Sequence, residues 1–255
     1  MHVSQRAPGL KWLLLLAALA ATACHAAPEP AAPDPARAAS APSPLGVMGT
    51  LPLYWPEGAG FGDVLAPGAA PGWVRTALAR HHVLVPLDTL EPHALAGLRI
   101  LLLAQPRALD PAENLALDRW VRGGGRLLLF ADPMLTAPSR FPIGDRRRPQ
   151  DVVLLSPILR RWGLELIFAE EAEVGSAAVS VDLEGVPIPI AAAGRFRGLP
   201  GGTCVLKADG TLAECPIGRG RVTILADAAV IEDGGQAAMA ARNRALETLV
   251  ERAFN

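Results

Sequence analysis

The stretch from Arg99 to Pro133, RILLLAQPRALDPAENLALDRWVRGGGRLLLFADP, constrains this chain more than any other, because it spells a strand, a helix and a second strand with its punctuation intact. Arg99 to Ala104 and Arg126 to Ala131 are unbroken apolar runs. Strands read this way when helices cover both faces of a parallel sheet, whereas a half-exposed strand alternates. The helix between them has both ends marked. Asp110 is placed to cap it, Pro111 suits the first helical turn, and Glu113 stands three residues after the cap, where it can reach back to the cap's own amide. Gly123, Gly124 and Gly125 end it. Ala112, Leu115, Ala116, Trp120 and Val121 fall on one side, and Asn114, Asp118 and Arg122 on the other, so the helix is expected to lie on the sheet through its apolar side.

The pattern recurs along the chain. Leu45 to Leu53 reads as a strand, Pro71 to His81 as a helix and His82 to Leu87 as a strand. After the opening unit come a helix over Val152 to Trp162 and a strand over Leu164 to Phe168. A repeated βαβ order predicts an α/β fold, a doubly wound parallel sheet. From about residue 170 to 218 short β-rich pieces replace helices, at Ala177 to Leu183, at Val186 to Ala192 and in a hairpin centred on Asp209-Gly210, and a small antiparallel annex is expected there. Gly220 to Asp227 returns to a buried-strand pattern, and Gln236 to Phe254 reads as a closing helix over the sheet. A single domain over residues 45–255 follows, and 51% apolar residues suffice for its core.

The first residues read differently. His2, Arg6 and Lys11 precede an apolar run from Trp12 to Ala21, which ends in small residues before Cys24, as in an export signal over residues 1–24. A run of about ten residues is too short to cross a bilayer core of ~30 Å as a helix. Residues 25–44 are rich in alanine and proline and cannot build a core. As polyproline II at ~3.1 Å per residue they would form a tether of roughly 60 Å.

Two cysteines remain beyond the signal. If Asp209 and Gly210 form a two-residue turn, Cys204 falls opposite Cys215, within the range a disulfide accepts, and an oxidising compartment favours the bridge. The alternative is a pair of small buried residues.

Leu19-Ala20-Ala21-Thr22-Ala23-Cys24 resembles a bacterial lipoprotein signal, which implies a lipidated Cys24 and a domain outside the cytoplasmic membrane. Such signals usually carry leucine three residues before the cysteine, where this chain has Ala21, so ordinary cleavage after Ala23 or Ala26 is the alternative. The unit from Pro106 to Pro133, and GRGRVTILADAAVIED with Arg242-Asn243-Arg244 in the last helix, resemble the auxiliary domain of bacterial ABC transport systems, the type found in the gliding-motility G component. That resemblance implies a flavodoxin-like sheet shared with class I glutamine amidotransferases, no established catalysis, and transporter or envelope proteins as partners. Those domains are commonly built into a subunit with membrane helices, and this sequence has no second hydrophobic span.

Chemistry is sparse. A hydrolase of that scaffold needs a nucleophile on a tight turn after a central strand, with a histidine to take its proton. Gln105-Pro106-Arg107 stands at that place. His81, His82 and His93 lack the spacing of a helical metal pair, and the glycine triplet follows its helix rather than opening one, so neither a metal nor a phosphate-bearing cofactor is expected. Net charge is −1, and the one basic run, Arg146 to Arg148, sits between Asp145 and Asp151, which argues against a nucleic-acid surface. Glu170, Glu171 and Glu173 read as a solvated loop. Ligands of open α/β sheets bind at the carboxyl ends of the strands, where Gln105, Asp132 and Asp227 fall, joined by Tyr54, Trp55 and Glu57 from the loop after the first strand. These six are the candidate ligand-binding residues. The competing assignment makes Asp132 the start of a turn, Asp227 a cap and Trp55 a packing residue. Three functions remain open: a noncatalytic, tethered binding or accessory domain, a hydrolase using Asp132 and Asp227 as acid and base, and a structural envelope protein.

Overall fold

The computed structural model describes residues 42–66, 70–168, 179–233 and 236–255. Cys24 and the Glu170, Glu171 and Glu173 patch lie outside them, as do the signal and all but the last residues of the tether. In chain order the elements are β1 (Ser43–Gly49), α1 (Phe61–Leu65), α2 (Trp73–Leu78), β2 (His82–Pro86), α3 (Pro92–Leu95), β3 (Ile100–Ala104), α4 (Pro111–Arg122), β4 (Arg126–Phe130), α5 (Ser156–Arg161) and β5 (Leu164–Ile167). There follow β6 (Val179–Leu183), β7 (Val186–Ile190), β8 (Arg195–Gly198), β9 (Val205–Lys207), β10 (Leu212–Ile217), β11 (Gly220–Leu225) and α6 (Gln236–Phe254).

The main sheet has seven strands in the order β2-β1-β3-β4-β11-β10-β9. From β2 to β11 every pairing is parallel, and β10 and β9 close the sheet antiparallel. Its middle is covered on both sides, which is why β3 and β4 are apolar without alternation. Leu101, Leu103, Leu127 and Leu129 join Leu117 and Val121 of α4 and Ile158, Leu159 and Trp162 in or beside α5. Leu102, Leu128 and Phe130 face the other way, onto Val74 and Leu78 of α2 and Leu246, Leu249 and Phe254 of α6.

The α4 cap forms as its residues predict. Asp110 accepts from the Glu113 amide at 2.7 Å, and Glu113 accepts from the Asp110 amide at 3.1 Å. Three positions depart from simple amphipathicity, the first being Ala112, expected inward and exposed in the first turn. Asp118, expected on the outer side, is 1% exposed, because α5 packs beside α4 and its carboxylate receives Arg122, Arg161 and the Trp162 indole N–H. Leu115, expected inward, is 39% exposed.

Topology departs from the sequence pattern in two places. β5 does not enter the main sheet. It pairs antiparallel with β8, and β11 is the parallel strand beside β4. The Cys204 hairpin does not belong to an annex, since β9 and β10 extend the main sheet, while β6 and β7 form a separate hairpin. A hydrophobic run names a strand but not the neighbour that completes its hydrogen bonds. Cys204 and Cys215 are joined in a disulfide across β9 and β10, with Cα atoms 4.1 Å apart, after a 3₁₀ turn over Ala208–Gly210 that preserves the expected register. β1 stops at Gly49, earlier than expected, because the Thr50 amide turns onto the carbonyls of Ala104 and Gln105. No Cβ fits at Gly49: it would lie 2.1 Å from the Ala104 carbonyl oxygen.

Candidate binding site at the carboxyl edge of the sheet

In the order β2-β1-β3-β4-β11 the chain runs outward in opposite directions from β1 and β3, and the crevice beyond their carboxyl ends is where open α/β sheets hold ligands. Gln105, the first residue after β3, has φ 47°, in the left-handed region that non-glycine residues seldom adopt, and it is wholly buried. Its side chain explains the strain. Nε2 donates to the carbonyls of Asp132 and Gln150, each at 2.9 Å, and Oε1 accepts from the Asp132 amide at 2.9 Å. The Thr50 hydroxyl donates to the Gln105 carbonyl at 2.6 Å and accepts from the Gln150 amide at 3.0 Å. The Gln105 amide therefore fastens the loop after β3 to the loop after β4, and the Thr50 hydroxyl ties the loop after β1 to both.

Asp132 and Asp227 follow the neighbouring strands β4 and β11 and are 1% and 0% exposed. Asp132 accepts from the amides of Met134 at 2.8 Å and Ala228 at 3.2 Å. Asp227 accepts from those of Ala229 at 2.6 Å and Ala191 at 2.7 Å. Burial pushes the Asp132 carboxyl up to about 7, and the charge of Glu232 adds to it. Burial, reinforced by the charge of Asp132, raises Asp227 well above the usual carboxylate range. The pair thus has the electrostatics of an acid–base couple, but both members hold turns in place and neither lines a cleft.

A cleft of about 90 Å³ opens beside them, lined by Leu51, Leu53, Glu57, Trp73, Val74, Ala137, Pro138, Pro149, Ile231, Glu232 and Asp233, with Pro52 and Gly72. Of the six residues expected to line a site, Glu57 alone does so. Its carboxylate accepts from the Ser139 hydroxyl and from the Arg140 amide. Tyr54 and Trp55 stand apart, with the Arg75 guanidinium over both rings at 5.9 Å and 4.7 Å. Gln105, Asp132 and Asp227 lie together beneath the edge, connected through backbone groups.

The residues that sequence reasoning passed over are Trp73, Glu232 and Asp233. The Trp73 indole N–H donates to the Glu232 carbonyl at 3.3 Å, and Arg242 donates to the same oxygen at 2.6 Å. Glu232 Oε1 is buried with no hydrogen-bond partner among the described residues, and burial raises its pKa against the pull of Arg242. The acidic turn Ile231-Glu232-Asp233 was visible in the sequence; its approach to a loop some 180 residues earlier was not. Elsewhere His81 and His93 are exposed, and no group of three His, Cys, Asp or Glu among the described residues is arranged to hold a metal ion. Arg147 and Arg148 are paired with Asp145 and Asp151. No described helix is long and apolar enough to cross a membrane.

No protein-family profile matches the chain, and no curated protein is significantly similar to it. Solved structures are. The mmIFT52 N-terminal domain superposes with a TM-score of 0.51 at 12% identity, over 82% of this chain and 96% of that one. Cytoplasmic Protein STM1381 from Salmonella typhimurium LT2 gives 0.50 at 10% identity, over 84% of this chain and 100% of that one. The exo-beta-1,4-mannosidase Op5Man5 from Opitutaceae bacterium strain TAV5 gives 0.49 at 16% identity, over 86% of this chain and 37% of that enzyme. At these identities the first two likenesses show a shared α/β fold and nothing of function.

Proposed function

We propose that this chain is a noncatalytic binding or accessory domain, exported, held to a bacterial membrane through a lipidated Cys24, and associated with an ABC-type transport or envelope complex. The observation that carries the reading is Gln105. It occupies the left-handed turn after a central parallel strand, the position where a hydrolase on an amidotransferase-like scaffold holds its nucleophile. Both ends of its amide are engaged with backbone groups of the loop after β4, so nothing reactive projects from that turn. The strand order β2-β1-β3-β4-β11 agrees with a flavodoxin-like arrangement. The Cys204–Cys215 disulfide agrees with export.

The hydrolase reading has one observation in its favour, the raised pKa of Asp132 beside Asp227. It lacks access: both carboxylates are buried behind the turns they cap, out of reach of a substrate. An acid or base must come within hydrogen-bond reach of the proton it moves.

The test is recovery of tagged full-length chain from its native envelope after mild crosslinking. Transporter or envelope subunits should co-purify with it from the membrane fraction, and Cys24→Ala should move it to the soluble fraction. Recovery of the wild-type chain alone and unmodified would overturn both the partnership and the anchor.

A further inference from the structure

The main sheet carries its charges unevenly, although the net charge of the chain is only −1. Glu57, Glu232 and Asp233 lie at the carboxyl edge, where Arg147 and Arg148 are paired with Asp145 and Asp151. The amino edge collects arginine. Arg99 precedes β3, Arg126 opens β4 and Arg221 is the second residue of β11. Arg126 stands opposite Arg221 in the register, and its amide donates to the Arg99 carbonyl at 2.9 Å, so three neighbouring strands begin with a cation side by side. Arg219 continues the row, its amide on the Arg122 carbonyl at 3.1 Å, and Arg122 shares the buried Asp118 carboxylate with Arg161.

Arginines at helix carboxyl ends are ordinarily explained by the carbonyls they face. That accounts for Arg122 and Arg161, in the last turns of α4 and α5, for Arg126, which donates to the Phe254 carbonyl at the end of α6, and for Arg219, which donates to the Gly123 carbonyl. It does not account for Arg99 and Arg221. Both are exposed, and neither side chain has a hydrogen-bond or ion-pair partner among the described residues. Carboxylates are scarce beside them: Asp118 is buried under its arginines, Glu165 holds Arg160 and Arg197, and Glu251 lines a cleft with Arg221 and Arg252. Like charges at facing strand positions destabilise a sheet, and a negative surface laid against them removes that cost.

The path of the chain selects that surface. Residues 1–41 reach the described domain through Pro42 and Ser43, and Ser43 and Pro44 line the same cleft as Arg99 and Arg126. The edge at which the tether arrives is therefore the basic one. At physiological ionic strength exposed charges act over only ~8 Å, so the face nearest the attachment point is the one that a charged bilayer can hold. We propose that the amino edge of the sheet docks on an anionic phospholipid bilayer, with Arg99, Arg219 and Arg221 against the phosphate groups and the carboxyl-edge cleft directed away from the membrane. The proposal rests on the tethered-domain reading and names the face that meets the lipid.

The test uses the full-length chain carrying Cys24→Ala, so that no acyl chain contributes, mixed with vesicles of phosphatidylglycerol and phosphatidylcholine or of phosphatidylcholine alone. Phenylglyoxal modifies exposed arginines, and peptide mass reads each site. On the anionic vesicles Arg99 and Arg221 should react at least fivefold more slowly, while the exposed Arg146 and Arg195, on the carboxyl side, keep their rates. High salt or phosphatidylcholine alone should abolish the difference. At roughly fivefold in affinity per arginine near such a surface, Arg99→Ser with Arg221→Ser should weaken sedimentation with the anionic vesicles at least tenfold. The charge-matched Arg146→Ser with Arg195→Ser should leave it unchanged, and the basic residues of the signal, common to both variants, cancel. Equal protection at both edges, equal loss in the two double variants, or unchanged sedimentation of the first would each overturn the proposal. If it fails while Cys24→Ala still releases the chain from its native envelope, the docking face falls and the anchor stands.

Discussion

Asp132 and Asp227 grip consecutive amides of one turn: Asp132 accepts from Ala228 at 3.2 Å while Asp227 accepts from Ala229 at 2.6 Å. Two buried carboxylates on adjacent strands thereby fix where the chain goes after β11, and through Ile231 and Glu232 they set one wall of the cleft. Their mutual repulsion makes that wall dependent on protonation.

Stability should therefore fall as pH rises. Asp132 has a folded pKa of about 7 against an unfolded value near ~3.9, so its contribution is complete below the unfolded value and is lost as pH climbs through the folded one. At ~1.4 kcal/mol per pH unit, roughly 2–3 kcal/mol should disappear between pH 5 and pH 8. Asp227 acts in the same direction, whereas His82, whose pKa burial lowers, opposes it by losing stability as pH falls. Urea midpoints across this range should drop with pH in the wild type and show a flatter slope in Asp132→Asn. Parallel slopes in the two proteins would refute the assignment.

Gln105→Ala should destabilise the fold by about 2–4 kcal/mol, because it strands the Asp132 amide and the carbonyls of Asp132 and Gln150 in a buried place. Gln105→Gly relieves the positive φ yet loses the same three bonds, and it should recover at most ~1 kcal/mol of that loss. Chemical denaturation of both variants orders them. A Gly variant as stable as wild type would mean that backbone strain, and not fastening, decides this position.

Reduction of Cys204–Cys215 should cost about 3 kcal/mol, the loop-closure value for a bridge spanning 11 residues of sequence separation. Denaturation with and without reductant measures it, and Cys204→Ser with Cys215→Ser should match the reduced protein.

Arg107→Ala exposes a different dependence. The Arg107 guanidinium, bidentate on Glu113 at 2.7 Å, together with amides of Asp110 and Leu90, holds that carboxyl down at about 2. A depressed folded pKa gives stability that is present above the unfolded value near ~4.3 and lost as pH falls through the folded one. Without its partner Glu113 remains 2% exposed and unneutralised, so the variant should lose about 2–3 kcal/mol at neutral pH and unfold at a higher pH on acid titration. An unchanged acid transition would remove Glu113 from the account.

The α4 cap, the buried strands β3 and β4, the extent of α6 and the register of the disulfide were all legible, because each rests on neighbours within a few turns of chain or on the period of a single element. Asp118 was not, since its burial comes from α5, about 40 residues later. The swap of β5 for β11 beside β4 was not, since both read as apolar runs and only pairing distinguishes them. The cleft was half legible: Glu57 lies in a segment that marks itself as a loop, but Glu232 becomes a lining residue only because the β11 turn folds back over the loop after β1. Local pattern shows what a segment buries, and topology decides against what.

Strand β9, with three residues, closes one side of the main sheet. A row of so few amides is a poor template for another chain, Lys207 puts a charge on it, and the crosslink to β10 keeps it from peeling away to reveal a longer strand beneath. On the opposite border, Pro86 ends β2 and offers no amide. With one border short, charged and crosslinked and the other ending on a proline, a second copy of the chain meets little that it could extend, so edge-to-edge growth into fibres is disfavoured.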